Sequence, residues 1–218
     1  MTGYRLSIYV FALTIALFGC SSISGTSAYV NKQYKDKPKP NGKLAIVPLT
    51  RLGLSLPCSS KALRCPPLGP VTDEFFEKLF DRFSDKVTTV AMAKTRRLFE
   101  ANRDVLNKLL DTKYSEEDLN ANPSLTTVFD SKQLASLREE LATADLLLVP
   151  SRFDLLPKLG ETYGYSEFHL YDLDSGSLIY ASSRNMNVNI GDEDGRGLMA
   201  GGLIGRATSD FEELYLKK

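Results

Sequence analysis

Ala144-Asp145-Leu146-Leu147-Leu148-Val149-Pro150 is apolar from Leu146 to Val149 with no alternation. Successive side chains of a strand point to opposite sides of its sheet, so a strand with one wet face alternates apolar with polar residues. An unbroken apolar run calls for cover on both faces, as at the centre of an α/β sheet. Lys43-Leu44-Ala45-Ile46-Val47-Pro48-Leu49 reads the same way, as a buried strand that stops where Pro48 removes a backbone donor. Two longer strands are expected at residues 162–173 and 177–190, joined through the tight turn Asp174-Ser175-Gly176. In the later one Met186, Val188 and Ile190 alternate with Asn185, Asn187 and Asn189, which predicts a half-buried face with a polar back.

Helical spacing fills the interval between these strands. Phe75, Phe76, Leu79, Phe80 and Phe83 mark one apolar helix face, with Asp73 and Glu74 favourably placed against the amino-terminal dipole. Residues 86–92 read as a strand, and Leu98, Ala101, Val105, Leu106, Leu109 and Leu110 define a second helix. Ser115 with Asp118 caps a brief helical turn before Asn122-Pro123. Asp130, with Gln133 three residues on, opens a third helix whose inward face is Leu134, Leu137, Leu141 and Ala144. The expected fold class is α/β, a single mixed-sheet domain over residues 43–218 in the order β-α-β-α-α-β-β-β-α, with helices packed on the sheet.

The chain has 218 residues, enough for a core that needs no metal staple. Lysine plus arginine and aspartate plus glutamate are equal at 27 each, so there is no net basic charge to suggest nucleic acid as a partner.

At the amino end, Arg5 precedes an apolar stretch at residues 6–18, and Gly19 precedes Cys20. The stretch falls well short of the roughly 20 residues a spanning helix needs. Leu17-Phe18-Gly19-Cys20 resembles the lipobox of bacterial lipoproteins. That resemblance implies that residues 1–19 are a signal peptide and that Cys20 becomes the first residue of the mature chain, carrying diacylglycerol on sulfur and usually an acyl group on nitrogen. Two or three acyl chains give stable anchoring where one binds only reversibly. An ordinary cleaved signal peptide with Cys20 as a bystander, or an uncleaved anchor, are the alternatives. Residues 20–42, rich in Ser, Gly, Lys and Pro, read as a flexible lipidated tether, solvated or with its lysines against anionic headgroups. The resemblance to lipoproteins, in which aspartate after the cysteine retains the protein at the inner membrane, implies from Ser21 in that place the outer membrane, with the domain facing the periplasm.

Translocation would place Cys58 and Cys65 in an oxidising compartment, where nearby thiols pair. A bridge across so short a loop adds roughly 2–3 kcal/mol on the loop-entropy account; two unpaired thiols are the alternative. Their spacing fits neither a C-x-x-C redox motif nor a zinc site. The loop at residues 50–70 that holds them is either a contact surface or a stapled surface loop.

The order of a Leu-Ala-Ile-Val-Pro strand at 44–48, helix, strand, helix, the Ala-Asp-Leu-Leu-Leu-Val-Pro strand and the hairpin Leu170-Tyr171-Asp172-Leu173-Asp174-Ser175-Gly176-Ser177-Leu178-Ile179-Tyr180 resembles a group of envelope domains. These are the curli-secretion-channel lipoproteins, the penicillin-binding-protein activator lipoproteins and the amino-terminal domain of the Tol system's periplasmic protein. The likeness runs from about residue 43 to the end. It implies a non-enzymatic role in binding, assembling or regulating an envelope complex through a protein partner, and it carries over no binding residue. The cysteine loop and the glycine-rich tail helix depart from that group.

Gly197, Gly201 and Gly205 recur at every fourth position and make one smooth helix ridge. Such a ridge lets another backbone approach closely. It serves either self-association, as in a homo-oligomeric secretion or pore component, or tight packing of a terminal helix on the sheet; the shortness of the apolar part, residues 198–204, favours packing. The dinucleotide-like Gly195-Arg196-Gly197-Leu198-Met199-Ala200 has no second βα unit after it. Asp192-Glu193-Asp194-Gly195 lacks the twelfth-position acid of a calcium loop, where Gly201 stands. His169 is the only histidine and has no catalytic motif around it, so it reads as structural, with a hydrolase using His169 as the remote alternative. Glu116-Glu117-Asp118 and Glu139-Glu140 read as solvated surface. No cofactor, metal site or catalytic residue is expected.

Overall fold

The computed structural model describes residues 26–35, 42–50, 68–158, 161–188 and 193–212. Its strands are β1 (Thr26–Val30), β2 (Leu44–Ile46), β3 (Leu146–Lys158), β4 (Glu161–Asp172) and β5 (Leu178–Val188). They form one five-stranded sheet in the order β1-β5-β4-β3-β2. β2 runs parallel to β3 and the other pairs are antiparallel, so the sheet is mixed. The helices are α1 (Lys32–Lys35), α2 (Leu68–Ser84), α3 (Met92–Ala101), α4 (Arg103–Asp111), α5 (Glu116–Asn120), α6 (Ser131–Glu140) and α7 (Glu193–Phe211).

The sheet is covered on both sides, and β3 shows why. Leu146 and Leu148 join a core that includes Phe75, Phe76, Leu79 and Phe83 of α2 and Leu203, Ile204, Ala207 and Phe211 of α7. Leu147 and Val149 join the opposite core, with Leu98 and Phe99 of α3, Leu106, Leu109 and Leu110 of α4, and Leu134 and Leu137 of α6. Consecutive residues thus serve alternate cores, which is the arrangement the unbroken apolar run requires.

The hairpin between β4 and β5 turns at Asp174-Ser175-Gly176, where Gly176 has φ 75° and its N–H bonds the Asp172 carbonyl at 2.8 Å. A Cβ there would disfavour the left-handed backbone. The Asp172 side chain accepts from the N–H groups of Asp174 and Ser175, and Arg138 of α6 donates to the carbonyls of Leu173 and Asp174, holding the turn against the helix. Both expected caps are present. Ser115 and Asp118 form a reciprocal capping box on α5, and Asp130 accepts from Gln133 N–H at 2.8 Å at the start of α6.

Four expectations need correction. Residues 86–92 make no strand: Thr89 forms a single bridge to Leu44. The chain is still turning out of α2 through the Val87 N–H to Phe83 carbonyl bond, and α3 begins at Met92, so one bridge is all that fits. The opening strand of residues 43–49 shortens to Leu44–Ile46. The strand expected to end at Pro150 continues to Lys158, because a bulge at Ser151 absorbs the proline without ending the pairing.

The fourth concerns the expected tether. Thr26–Val30 pairs with β5 from Thr26 opposite Arg184 to Val30 opposite Tyr180, so part of residues 20–42 belongs to the sheet and the folded unit begins before residue 43. Asn31, 1% exposed, anchors it: its N–H donates to the Ile179 carbonyl at 2.9 Å and its side-chain amide to the Leu178 carbonyl at 3.0 Å. Tyr34 of α1 then donates to Asp172 at 2.9 Å.

Candidate functional site

Beyond the reach of α4 and α6, the face of the sheet they cover continues as a different surface. Tyr163, Tyr165, Glu167, His169 and Tyr171 occupy alternate positions of β4 and therefore share that face. Tyr163 is 39% exposed, whereas His169 and Tyr171 are buried, so the stripe runs from solvent into the protein.

A cleft of about 290 Å³ opens over this stripe. β4 supplies Tyr165, Glu167 and His169, β5 supplies Ala181 and Ser183, and β1 brings Ala28 and Tyr29. Tyr114, held in place just ahead of the capped α5, and Leu119 of α5 close the remaining wall. The cleft therefore depends on β1 and on the short capped helix as much as on the sheet.

The polar groups around it form two bonded sets. The Glu167 carboxylate accepts from the Tyr165 hydroxyl at 3.1 Å and from His169 Nε2 at 2.9 Å. A carboxylate only accepts, so Nε2 carries the proton of that bond. Nδ1 is buried and has no hydrogen-bond partner. The Tyr114 and Tyr171 hydroxyls lie 2.9 Å apart, and the Tyr114 ring packs on His169 at 5.1 Å between centroids. At the rim the Arg152 guanidinium lies 4.5 Å from the centre of the Tyr165 ring while pairing with Asp154.

Burial shapes the ionisation of each group. It pushes the Tyr171 hydroxyl well above 10, and raises Tyr114, Tyr29 and Tyr165, the last helped by the Glu167 charge. For Glu167, burial is the largest single influence and acts upward. The bond and charge of His169, the Tyr165 hydroxyl and Arg152 together outweigh it, and the carboxyl sits below its ordinary 4.5. A lowered carboxyl binds protons less readily folded than unfolded. Its stabilisation is thus complete above the ordinary value and disappears as pH falls through the lowered one. Urea unfolding of wild type and Glu167→Gln across pH 7 to 3 is expected to show a wild-type advantage at neutral pH that shrinks below about 4.5. A difference independent of pH would remove Glu167 from the acid response.

His169 reads from the sequence as structural, with a hydrolytic role as the remote alternative, and the structure bonds its Nε2 to Glu167. Among the described residues no hydroxyl or thiol bonds either of its ring nitrogens, so the nucleophile–base pair that covalent catalysis needs is not assembled there. Groups of three or more His, Cys, Asp or Glu that could hold a metal are absent among the described residues. Glu116, Glu117, Glu139 and Glu140 are exposed, as expected of solvated surface, and Asp118 serves its cap.

Two glycines of the ridge, Gly201 and Gly205, are not where α7 meets the sheet. A Cβ added at Gly201 or Gly205 would touch nothing within 4 Å, whereas one at Gly202 would come 2.9 Å from Met186 Cε. Leu203, Ile204, Ala207 and Phe211 make the buried face of the helix, so Gly202 is the close-approach glycine, and the expected packing of the ridge on the sheet is corrected for these two positions. Gly197 lies one turn upstream in α7. Cys20, Cys58 and Cys65, and with them the lipobox and the expected disulfide, lie outside the described residues.

No family model matches the chain, and no curated protein matches it in sequence. Among solved structures, the PelC dodecamer from Paraburkholderia phytofirmans is 12% identical, with 90% of this chain and 100% of that one covered at a TM-score of 0.41. The LpoB C-terminal domain from Salmonella enterica is 12% identical, with 70% and 87% covered at 0.33. Lipoprotein GNA1162 from Neisseria meningitidis is 9% identical, with 77% and 98% covered at 0.36. Likeness at these scores carries no functional argument.

The cleft was missed in the sequence because its residues come from β1, β4, β5 and the segment before α5. One local signal was there: Tyr163, Tyr165, Glu167, His169 and Tyr171 fall at every second position, a polar and aromatic face where a merely solvated strand would carry small or charged residues.

Proposed function

We propose that this protein is a non-catalytic lipoprotein of the cell envelope, fastened by lipid on Cys20 to the periplasmic side of the outer membrane, whose α/β unit binds or regulates an envelope assembly. The observation that carries the reading is Leu17-Phe18-Gly19-Cys20 at the end of an apolar stretch too short to span a bilayer. Among the described residues no helix is long and apolar enough to cross a membrane. Among the described residues no hydroxyl or thiol bonds His169, which supports a binding role over a hydrolytic one. The Cys58–Cys65 bridge belongs to the same reading, since export exposes both thiols to an oxidising compartment.

A second reading, a homo-oligomeric assembly, is favoured by one observation: Gly201 and Gly205 face open space on α7 and leave room for another backbone. Photo-crosslinking in cells from a residue introduced at Lys61, followed by native mass measurement of the captured species, distinguishes the two. One copy joined to a different envelope protein is the expected result. A closed ring of identical chains would favour the second reading, and a free monomer with no captured protein would contradict both.

A further inference from the structure

The cleft above β4 offers a ligand an unusual mixture. Tyr29, Tyr114 and Tyr165 line it with aromatic rings, and among the described residues that line it Glu167 is the one acidic residue and none is lysine or arginine. Its carboxyl is held below the ordinary glutamate range, so it is anionic at neutral pH. Most of the polar groups that a neutral ligand would use already have partners within the protein. The Glu167 oxygens are taken by His169 and Tyr165, the Tyr114 hydroxyl by Tyr171, and the Tyr29 hydroxyl by Asn122 at 3.4 Å. A sugar or nucleoside is recognised through unpaired donors and acceptors. Among the described residues, the two lining atoms without a partner, His169 Nδ1 and Ser182 Oγ, are buried out of reach, so ring surfaces and the Glu167 carboxylate are what the cleft presents, and they suit a cation that needs no hydrogen bonds. Arg152, 4.5 Å from the centre of the Tyr165 ring, shows one of these tyrosines already accepting a cation on its face.

We infer that the cleft formed by Tyr29, Tyr114, Tyr165 and Glu167 binds a quaternary alkylammonium group of choline type. Its volume of about 290 Å³ admits a trimethylammonium head. The ring quadrupoles and the Glu167 charge attract that head without having to satisfy N–H donors. The same chemistry is presented by a free choline-type cation and by a phosphocholine lipid headgroup. The inference is independent of the anchor at Cys20, since every residue in it belongs to the folded unit.

The test is titration of the full chain, purified in a maltoside detergent, with choline chloride, followed by NMR shifts of the tyrosine rings. Saturable binding is expected, with 3,3-dimethyl-1-butanol, the uncharged isostere, at least about tenfold weaker. Glu167→Gln and Tyr114→Leu are each expected to weaken choline by about tenfold, the scale of one cation–aromatic or charge contact. Competition by phosphatidylcholine but not phosphatidylglycerol, each supplied in mixed maltoside micelles, assigns the headgroup as the source; choline binding without such competition assigns the free cation. Equal binding of dimethylbutanol, or no saturation with choline, overturns the inference. The isostere comparison uses wild-type protein, so it decides the matter even where a variant fails to fold.

Discussion

Leu147→Ala is expected to lower unfolding stability by about 2–5 kcal/mol, the range for deleting a fully buried leucine side chain. Leu147 is 0% exposed and belongs to the core under α3, α4 and α6, while its neighbours Leu146 and Leu148 belong to the core under α2 and α7. A cavity at Leu147 therefore opens in the middle of a three-layer structure, where the rigid backbone of β3, hydrogen-bonded to β2 and β4, resists collapse into it. Part of the loss is the transfer free energy of the deleted carbons and the rest is the unfilled volume. Urea unfolding should show a lower midpoint with an unchanged slope. Lys132→Ala, on the exposed side of α6, is expected to stay within about 0.5 kcal/mol of wild type. A loss under about 1 kcal/mol at Leu147 would mean that β3 is not covered on that face.

Cys20→Ala is expected to have an effect of another kind, leaving the fold intact and abolishing its attachment. On the proposed reading all acyl chains depend on this one thiol, because diacylglycerol joins the sulfur before the signal is cut and the amino group acylated. Each buried methylene contributes about 0.8 kcal/mol, so losing two or three chains at once removes essentially all of the partition free energy. Radiolabelled palmitate incorporation should fall to background, and the mature size should not appear. Every described element begins at Thr26 or later, so circular dichroism and the unfolding midpoint of a secreted, unanchored form should match those of the acylated protein. Labelling and detergent partitioning that persist in Cys20→Ala would contradict the anchor.

The parts of this fold that were legible in the sequence share one property: their determinants are contiguous. Leu146 to Val149 announce a doubly covered strand by themselves, Asp174-Ser175-Gly176 encodes its own turn, and Ser115 with Asp118 or Asp130 with Gln133 encode their caps within one helical turn. The parts that were not legible depend on distant partners. Thr26–Val30 is too short to declare itself against a Ser- and Lys-rich background, and becomes a strand because β5 offers an edge and Asn31 fastens its end. Pro150 argues locally for a strand end, yet a bulge opposite Glu167 and Phe168 lets β3 continue. On α7 the glycine spacing drew attention to the wrong face, whereas the spacing of Leu203, Ile204, Ala207 and Phe211 marks the inward one. The cleft was least visible because its walls assemble only once β1 has joined the sheet, and a histidine two residues from a glutamate on one strand has no meaning until Tyr114 arrives from another segment.

These cases also bear on the proposed role. A buried His–Glu pair invites a catalytic reading from coordinates alone, but among the described residues no hydroxyl or thiol bonds the other ring nitrogen, and the ring packs against Tyr114 at a tilt of 55°. The same packing leaves an aromatic recess with the Glu167 carboxylate in its wall.

The central claim, a binding module held to a membrane by lipid, is tested most directly by the intact mass of the mature protein extracted from bacterial membranes. The account predicts a chain that begins at Cys20 and carries the added mass of a diacylglycerol and an N-linked acyl group. A chain of unmodified mass, or one that begins at any other residue, would contradict it.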